Sequence, residues 1–195
     1  MALLGGSHDE RCYDRFKEYI ESRSETGQEA QGAPARFASI HNLATYWTED
    51  HVREIVFDIG DLDYQIEDIR TQYLRIFSIL VWISRTGQSY VRYLKHFMRN
   101  GRDDHVLPLR ERPTFFPSAP DSESFWTTFF KSQWTFCPVQ LGHNKIYNRN
   151  LHPSQILPFT IFDDLGSENI GRPAKIRLAK VHASDPLAQT LSVNS

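Results

Sequence analysis

Residues 62–85, LDYQIEDIRTQYLRIFSILVWISR, decide how this chain folds. Leu62, Ile66, Ile69, Tyr73, Ile76, Phe77, Leu80 and Ile83 recur every three or four residues, which lines one side of an α-helix. From Tyr73 to Ser84 the intervening Leu74, Ile79, Val81 and Trp82 are apolar as well, so this half is apolar around nearly its whole circumference. Such a helix belongs at the centre of a core. A bilayer span needs about 20 consecutive apolar residues, and Arg75 and Arg85 bound this run too closely for that. The pattern predicts one long buried helix from about Leu62 to Arg85.

The flanks repeat the helical rhythm. Upstream, Phe37, Ile40, Leu43, Ala44 and Trp47 keep a 3.6-residue period, and Thr48 or Asp50 is placed to cap a second short helix bearing Val52, Ile55 and Val56. Downstream, Gly87 marks a turn, and Ser89 opens a helix whose Val91, Leu94, Lys95 and Met98 share a face until Gly101 closes it. Pro108, Pro113, Pro117 and Pro120 then make irregular chain that wraps the body. Asp121 or Ser122 caps a further helix to about Gln133, rich in Phe125, Trp126, Phe129 and Phe130, with Trp134 beyond it. Leu80, Trp82, Phe129 and Trp134 are the expected core.

The ends read differently. Cys12, Phe16, Tyr19 and Ile20 give residues 1–23 an amphipathic helix, expected as a tethered arm. Residues 24–36 hold no large apolar side chain, and their Gly and Pro predict a flexible linker. Residues 37–150 form the helical domain. Within 151–184, the runs Ile156–Phe162 and Ala174–Val181 are short and β-branched, as in two strands of a hairpin. Residues 185–195 are an expected disordered tail. The fold class is thus mainly α, a helical bundle-like body with a short C-terminal β-hairpin.

Composition narrows the function. The chain has 195 residues with Lys+Arg 22 against Asp+Glu 24, a formal net charge of −2. That leaves no cationic excess to release counterions from nucleic acid or to hold an anionic membrane, so neither is an expected partner. Two cysteines, Cys12 and Cys137, are too few for a disulfide scaffold, and the N-terminal residues lack the pattern of a secretory leader. A cytoplasmic setting is expected.

Candidate chemistry centres on Leu165-Gly-Ser-Glu-Asn-Ile-Gly171, between the two expected strands. In a kinase glycine loop, G-x-G-x-x-G-x-V, small residues let backbone N–H groups approach the nucleotide phosphates. Gly166 and Gly171 match the outer glycines, making them the candidate cofactor-binding residues. Glu168 stands at the middle glycine, where its charge repels phosphate, and Pro173 stands at the Val.

A longer series carries a resemblance. Tyr73-Leu-Arg-Ile-Phe-Ser-Ile-Leu-Val81, Gln133-Trp-Thr-Phe-Cys137, Arg149-Asn-Leu-His-Pro-Ser-Gln-Ile-Leu-Pro158, the Leu165-Gly-Ser loop and Lys180-Val-His-Ala-Ser184 occur in this order. Together, over about Thr48 to Ser184, they resemble the N-terminal extension and opening hairpin of filamentous-fungal protein kinase-like proteins. The resemblance implies a helical extension leading into the start of a kinase N-lobe. It does not bring the machinery of transfer: the phosphate-holding Lys with its Glu partner, the H-R-D catalytic loop and the D-F-G magnesium site have no match. Lys175 and Lys180 are only nominal stand-ins for that Lys, and Asp163-Asp164-Leu-Gly166 precedes the loop that a D-F-G should follow.

The remaining constellations read as structural. Cys137 and His143 are close in sequence, but Cys137 follows an aromatic helix and precedes Pro138, as a core cysteine does. The pairs Glu67/Asp68, Asp103/Asp104 and Asp163/Asp164 are expected as solvated charges. Arg92, Lys95, Arg99 and Arg102 place cations along one helix and just past its C-terminal end. The expected function is a non-catalytic interaction or regulatory module, without cofactor, for a protein partner or a kinase domain. The alternative is a truncated product of an ATP-dependent Ser/Thr protein kinase gene, which would need ATP and magnesium.

Overall fold

A computed structural model describes residues 8–58, 65–85, 88–116, 121–140, 151–165 and 176–181. In chain order the elements are α1 (His8–Arg23), β1 (Glu25–Glu29), β2 (Pro34–Phe37), α2 (Ile40–Tyr46), α3 (Glu49–Asp58), α4 (Ile66–Thr71), α5 (Leu74–Ile83), α6 (Leu94–Arg99), α7 (Ser122–Phe136), β3 (Ile156–Leu157), β4 (Phe159–Leu165) and β5 (Ile176–Val181). The fold is mainly α, with an antiparallel sheet of order β2-β1-β3 and a C-terminal hairpin of β4 and β5.

The apolar stretch read from the sequence forms the centre. Ile76, Phe77, Ile79, Leu80 and Val81 of α5 are wholly buried, and α5 packs on α7, α1 and α2. Two serines let this helix be apolar without stranding polar groups. Ser78 Oγ donates to the Leu74 carbonyl at 2.7 Å and accepts the Trp47 indole N–H at 2.9 Å. Ser84 Oγ donates to the Leu80 carbonyl and accepts the Tyr90 N–H, closing the turn toward α6.

The long helix is broken, which corrects the expectation of one element from Leu62 to Arg85. Leu62 lies outside the described residues, α4 stops at Thr71 and α5 begins at Leu74. The break has a tertiary cause. Asp104, about thirty residues downstream, accepts the N–H groups of Arg75 and Ile76 at 2.8 and 3.0 Å, and its own N–H donates to the Gln72 carbonyl at 2.8 Å. A carboxylate thus caps the start of α5 from outside, satisfying donors that a continuous helix would satisfy internally. Asp104 is therefore no solvated charge; Asp103 caps the short 3₁₀ turn Asp104–Val106 by accepting the His105 N–H.

Within the expected N-terminal arm, residues 1–7 lie outside the described residues, and α1 is not an arm. Phe16 of α1 is wholly buried, with its ring 4.7 Å from Trp47 and 5.1 Å from Tyr46, and Lys17 Nζ donates to the Ser84 carbonyl at 2.8 Å. Residues 24–36 are not a linker either: β1 and β2 pair from Glu25 with Phe37 to Gln28 with Pro34. Small residues made the segment look featureless, and smallness is what the pairing needs. A Cβ on Gly27 would lie 2.4 Å from the Leu157 carbonyl oxygen, so only glycine lets β3 cross β1 this closely. Gly32, at φ +98°, turns the hairpin, where Gly32 N–H donates to Glu29 O and Glu29 N–H to Ala33 O, each at 2.8 Å.

Pro117 and Pro120 lie outside the described residues, but the proline-rich segment up to Phe116 packs on the body. Gln133, wholly buried in α7, fastens it: its Oε1 accepts the Leu109 N–H at 2.8 Å and its Nε2 donates to the Leu109 carbonyl at 2.9 Å. Of the four expected core residues, Leu80, Phe129 and Trp134 are buried, while Trp82 is half-buried against the core.

Candidate functional site

A concave site among the described residues lies between the β1–β2 hairpin and the C-terminal half of α7. It is a groove of about 430 Å³ whose walls are Pro34, Ala35 and Arg36 on one side and Phe130, Lys131, Trp134 and Thr135 on the other. Glu29, Ser154 and Ile156 complete it. The size is within the roughly 300 to 1,000 Å³ typical of ligand sites.

Each wall is held from behind. The Ala38 N–H donates to the Thr135 carbonyl at 2.8 Å, which ties the chain just past β2 to α7. Arg36 ties the hairpin to the end of α1, since its Nη2 donates to the carbonyls of Glu21, in the last turn, and Ser24, just past it, at 2.6 and 3.1 Å. On α7, Trp126, Phe130 and Trp134 form an i, i+4 aromatic ladder, with centroids 5.3 and 5.6 Å apart. His152 lies flat on Trp134 at 4.3 Å and 8°, and edge-on to Phe130 at 5.6 Å. Its Nδ1 accepts the Ser154 N–H at 3.2 Å, so in the neutral ring Nε2 carries the proton. Two backbone bonds anchor the segment bearing His152 and Ile156: Val139 N–H to Ile156 O at 2.8 Å, and Ala30 N–H to Gln155 O at 3.0 Å.

The groove is thus an aromatic-backed slot lined by one acid, Glu29, and two exposed bases, Arg36 and Lys131. It can receive an apolar side chain and fix its orientation by polar contacts. No family model, curated protein or solved structure matches the chain. The reading of the groove stands on its geometry.

The candidates from the sequence lie elsewhere. Gly166 and Gly171, with Glu168, Pro173 and Lys175, are outside the described residues. The strands flanking them do pair, from Phe159 with Val181 to Leu165 with Ile176, with an irregularity in register between Ile161 and Asp163, and Lys180 stands opposite Thr160. Cys137 is buried, and burial pushes its thiol up to about 12; His143 lies outside the described residues. Burial first, and then the Glu54 carboxylate bonded to it, push the Cys12 thiol up to about 11. Neither thiol supplies a thiolate nucleophile near neutral pH. Among the described residues no group of three or more His, Cys, Asp or Glu is placed to hold a metal ion, and no helix is long and apolar enough to cross a membrane.

Sequence reasoning missed the groove because half of it comes from the segment taken for a linker. The available signal was Gln31-Gly32 between two stretches of extended-compatible residues, and the 126/130/134 spacing on α7.

Proposed function

We propose that this chain is a non-catalytic helical interaction module, related to the N-terminal region of a fungal protein kinase, that engages a protein partner or kinase domain in the cytoplasm. The observation that carries the reading is the groove. A half-buried Phe130, a buried Trp134 and the stacked His152 back a slot whose walls are tied to both the sheet and the body. Fixed aromatic walls with an exposed Lys131 at the rim suit recognition of a protein segment, because an anchor side chain fills a slot without further ordering of the receptor.

The second reading, a fragment of an ATP-dependent Ser/Thr protein kinase, draws support from β4 and β5, which pair on either side of the segment containing Gly166 and Gly171. Calorimetric titration with Mg-ATP separates the two. The interaction reading expects no heat of binding at micromolar nucleotide and no autophosphorylation; micromolar affinity, or phosphate incorporated by the purified chain alone, overturns it. Selection of a displayed random-heptapeptide library on the full chain tests the positive half. Peptides are expected to be enriched, and failure to enrich any would defeat the interaction reading.

A further inference from the structure

We propose that the open edge of β2 is a strand-addition site for an extended peptide of a protein partner, one that carries an apolar anchor residue next to a carboxylate. The proposal rests on the interaction reading and specifies its site and ligand chemistry.

The backbone comes first. The Glu29 N–H bond to Ala33 O makes that pair a hydrogen-bonded one, and antiparallel pairing alternates. With the register Gly27–Ala35 and Glu25–Phe37, these pairs are bonded as well, whereas Gln28–Pro34 and Thr26–Arg36 are not. The Arg36 N–H and C=O and the Pro34 C=O therefore point away from β1. No strand lies on that side among the described residues, because β2 is an edge of the sheet. Unpaired groups of this kind are what an added strand binds.

The groove lies under this same edge. Ala35 and Glu29 share the β1–β2 face with Ile156, which pairs with Glu29, and all three line the cavity opposite Phe130 and Trp134. A peptide bonded to Arg36 would alternate its side chains, one toward this cavity and the next away from it. An apolar side chain pointing inward meets Ile156, Phe130 and Trp134. Charge sets the neighbour: Lys131 is exposed on the α7 wall and makes no ion pair among the described residues, while the Arg36 guanidinium is turned to the end of α1. Arg36 bonds only carbonyls and keeps its charge, so two cations and one acid, Glu29, line the groove, and this positive excess favours a carboxylate beside the anchor.

The edge also disfavours a second copy of this chain. Pro34 has no N–H, so the edge offers one donor and two acceptors, a short clip rather than a long ladder. Antiparallel self-pairing centred on Arg36 would set two arginines against each other.

The test uses the full chain and a heptapeptide enriched from the displayed random library. Sequences with an apolar residue adjacent to Asp or Glu are expected. Hydrogen exchange at the Arg36 amide should slow at least tenfold on binding, and N-methylation of a bonded peptide residue should weaken affinity at least tenfold. Selection on Lys131→Glu, an exposed substitution, should replace the acidic preference with a basic one. If enriched peptides leave Arg36 exchange unchanged and ignore Lys131→Glu, the interaction reading survives and this site is wrong; if nothing is enriched, both fall. Concentration-dependent protection of Arg36 in the peptide-free protein would assign the edge to a second copy and overturn the proposal.

Discussion

The two faces of α7 carry nearly equal aromatic mass and do different things. Phe125, Phe129 and Phe136 face inward and are wholly buried; Phe125 stacks on Tyr93 at 3.8 Å and Phe129 on Phe97 at 5.8 Å. Trp126, Phe130 and Trp134 form a second row: Trp126 packs on Phe116 at the edge of the core, while Phe130 and Trp134 wall the groove with His152 behind. The difference teaches that aromatic content marks packing without saying against what. One ladder closes the helical body, and the other holds a concavity open.

The largest expected effect tests that division directly. Phe129→Ala should cost about 3 to 5 kcal/mol and Leu80→Ala about 2 to 5, since both are wholly buried in the body. Phe130→Ala should cost less while abolishing peptide capture, because Phe130 is only partly buried and lines the groove. Chemical denaturation of the three variants gives the comparison; equal losses for Phe129→Ala and Phe130→Ala would dissolve the distinction.

Next, Gly27→Ala should cost about 1 to 3 kcal/mol by forcing β3 off β1. Amide exchange should quicken in β1 and β3 while α5 stays protected. Loss of protection throughout α5 would mean that sheet and body unfold as one unit.

Asp104→Ala should cost about 1 to 2 kcal/mol, as for a lost helix cap, and fray the start of α5. Burial raises the Asp104 carboxyl above its ordinary range, against the two N–H bonds that lower it. Its ionisation therefore detracts from stability as pH rises from the unfolded carboxylate value through the raised native one, and Asp104→Asn should flatten that part of the acid profile. An unaltered profile would remove Asp104 from the pH response.

The smallest effect near neutrality is that of Cys137. Its thiol is neutral in both states below its ordinary value of 9.0, so it leaves stability independent of pH there. Between 9.0 and the native value of about 12 only the unfolded thiol ionises, so stability declines as pH rises. Cys137→Ala should lessen that alkaline decline, read from denaturation midpoints at pH 8 and pH 10.5. An unchanged difference between the two would show that other groups carry it.

Part of this was legible residue by residue. The burial of Ile76, Phe77 and Leu80, the capping of α3 by Thr48, and the wrapping of the proline segment follow from local spacing and turn chemistry. The candidate site was not. Gly166 and Gly171 drew attention because a motif is a contiguous pattern, whereas the groove joins Ala35, Phe130 and Ile156, which lie over a hundred residues apart at the extremes. In residues 24–36 only the Gln31-Gly32 turn hints at a hairpin, since the small and polar residues around it carry no apolar alternation and gain their third strand only when β3 arrives.

The amino-acid order by itself determined a mainly α-helical body with α5 at its centre, because helical periodicity and the burial it drives are set within one or two turns of chain. The break between α4 and α5, the β1–β2–β3 sheet and the groove beneath its edge were decided only by tertiary structure. Each depends on a group supplied from far along the chain: the Asp104 carboxylate for α5, the Leu157 backbone over Gly27 for the sheet, and the Thr135 carbonyl that ties the chain just past β2 to α7.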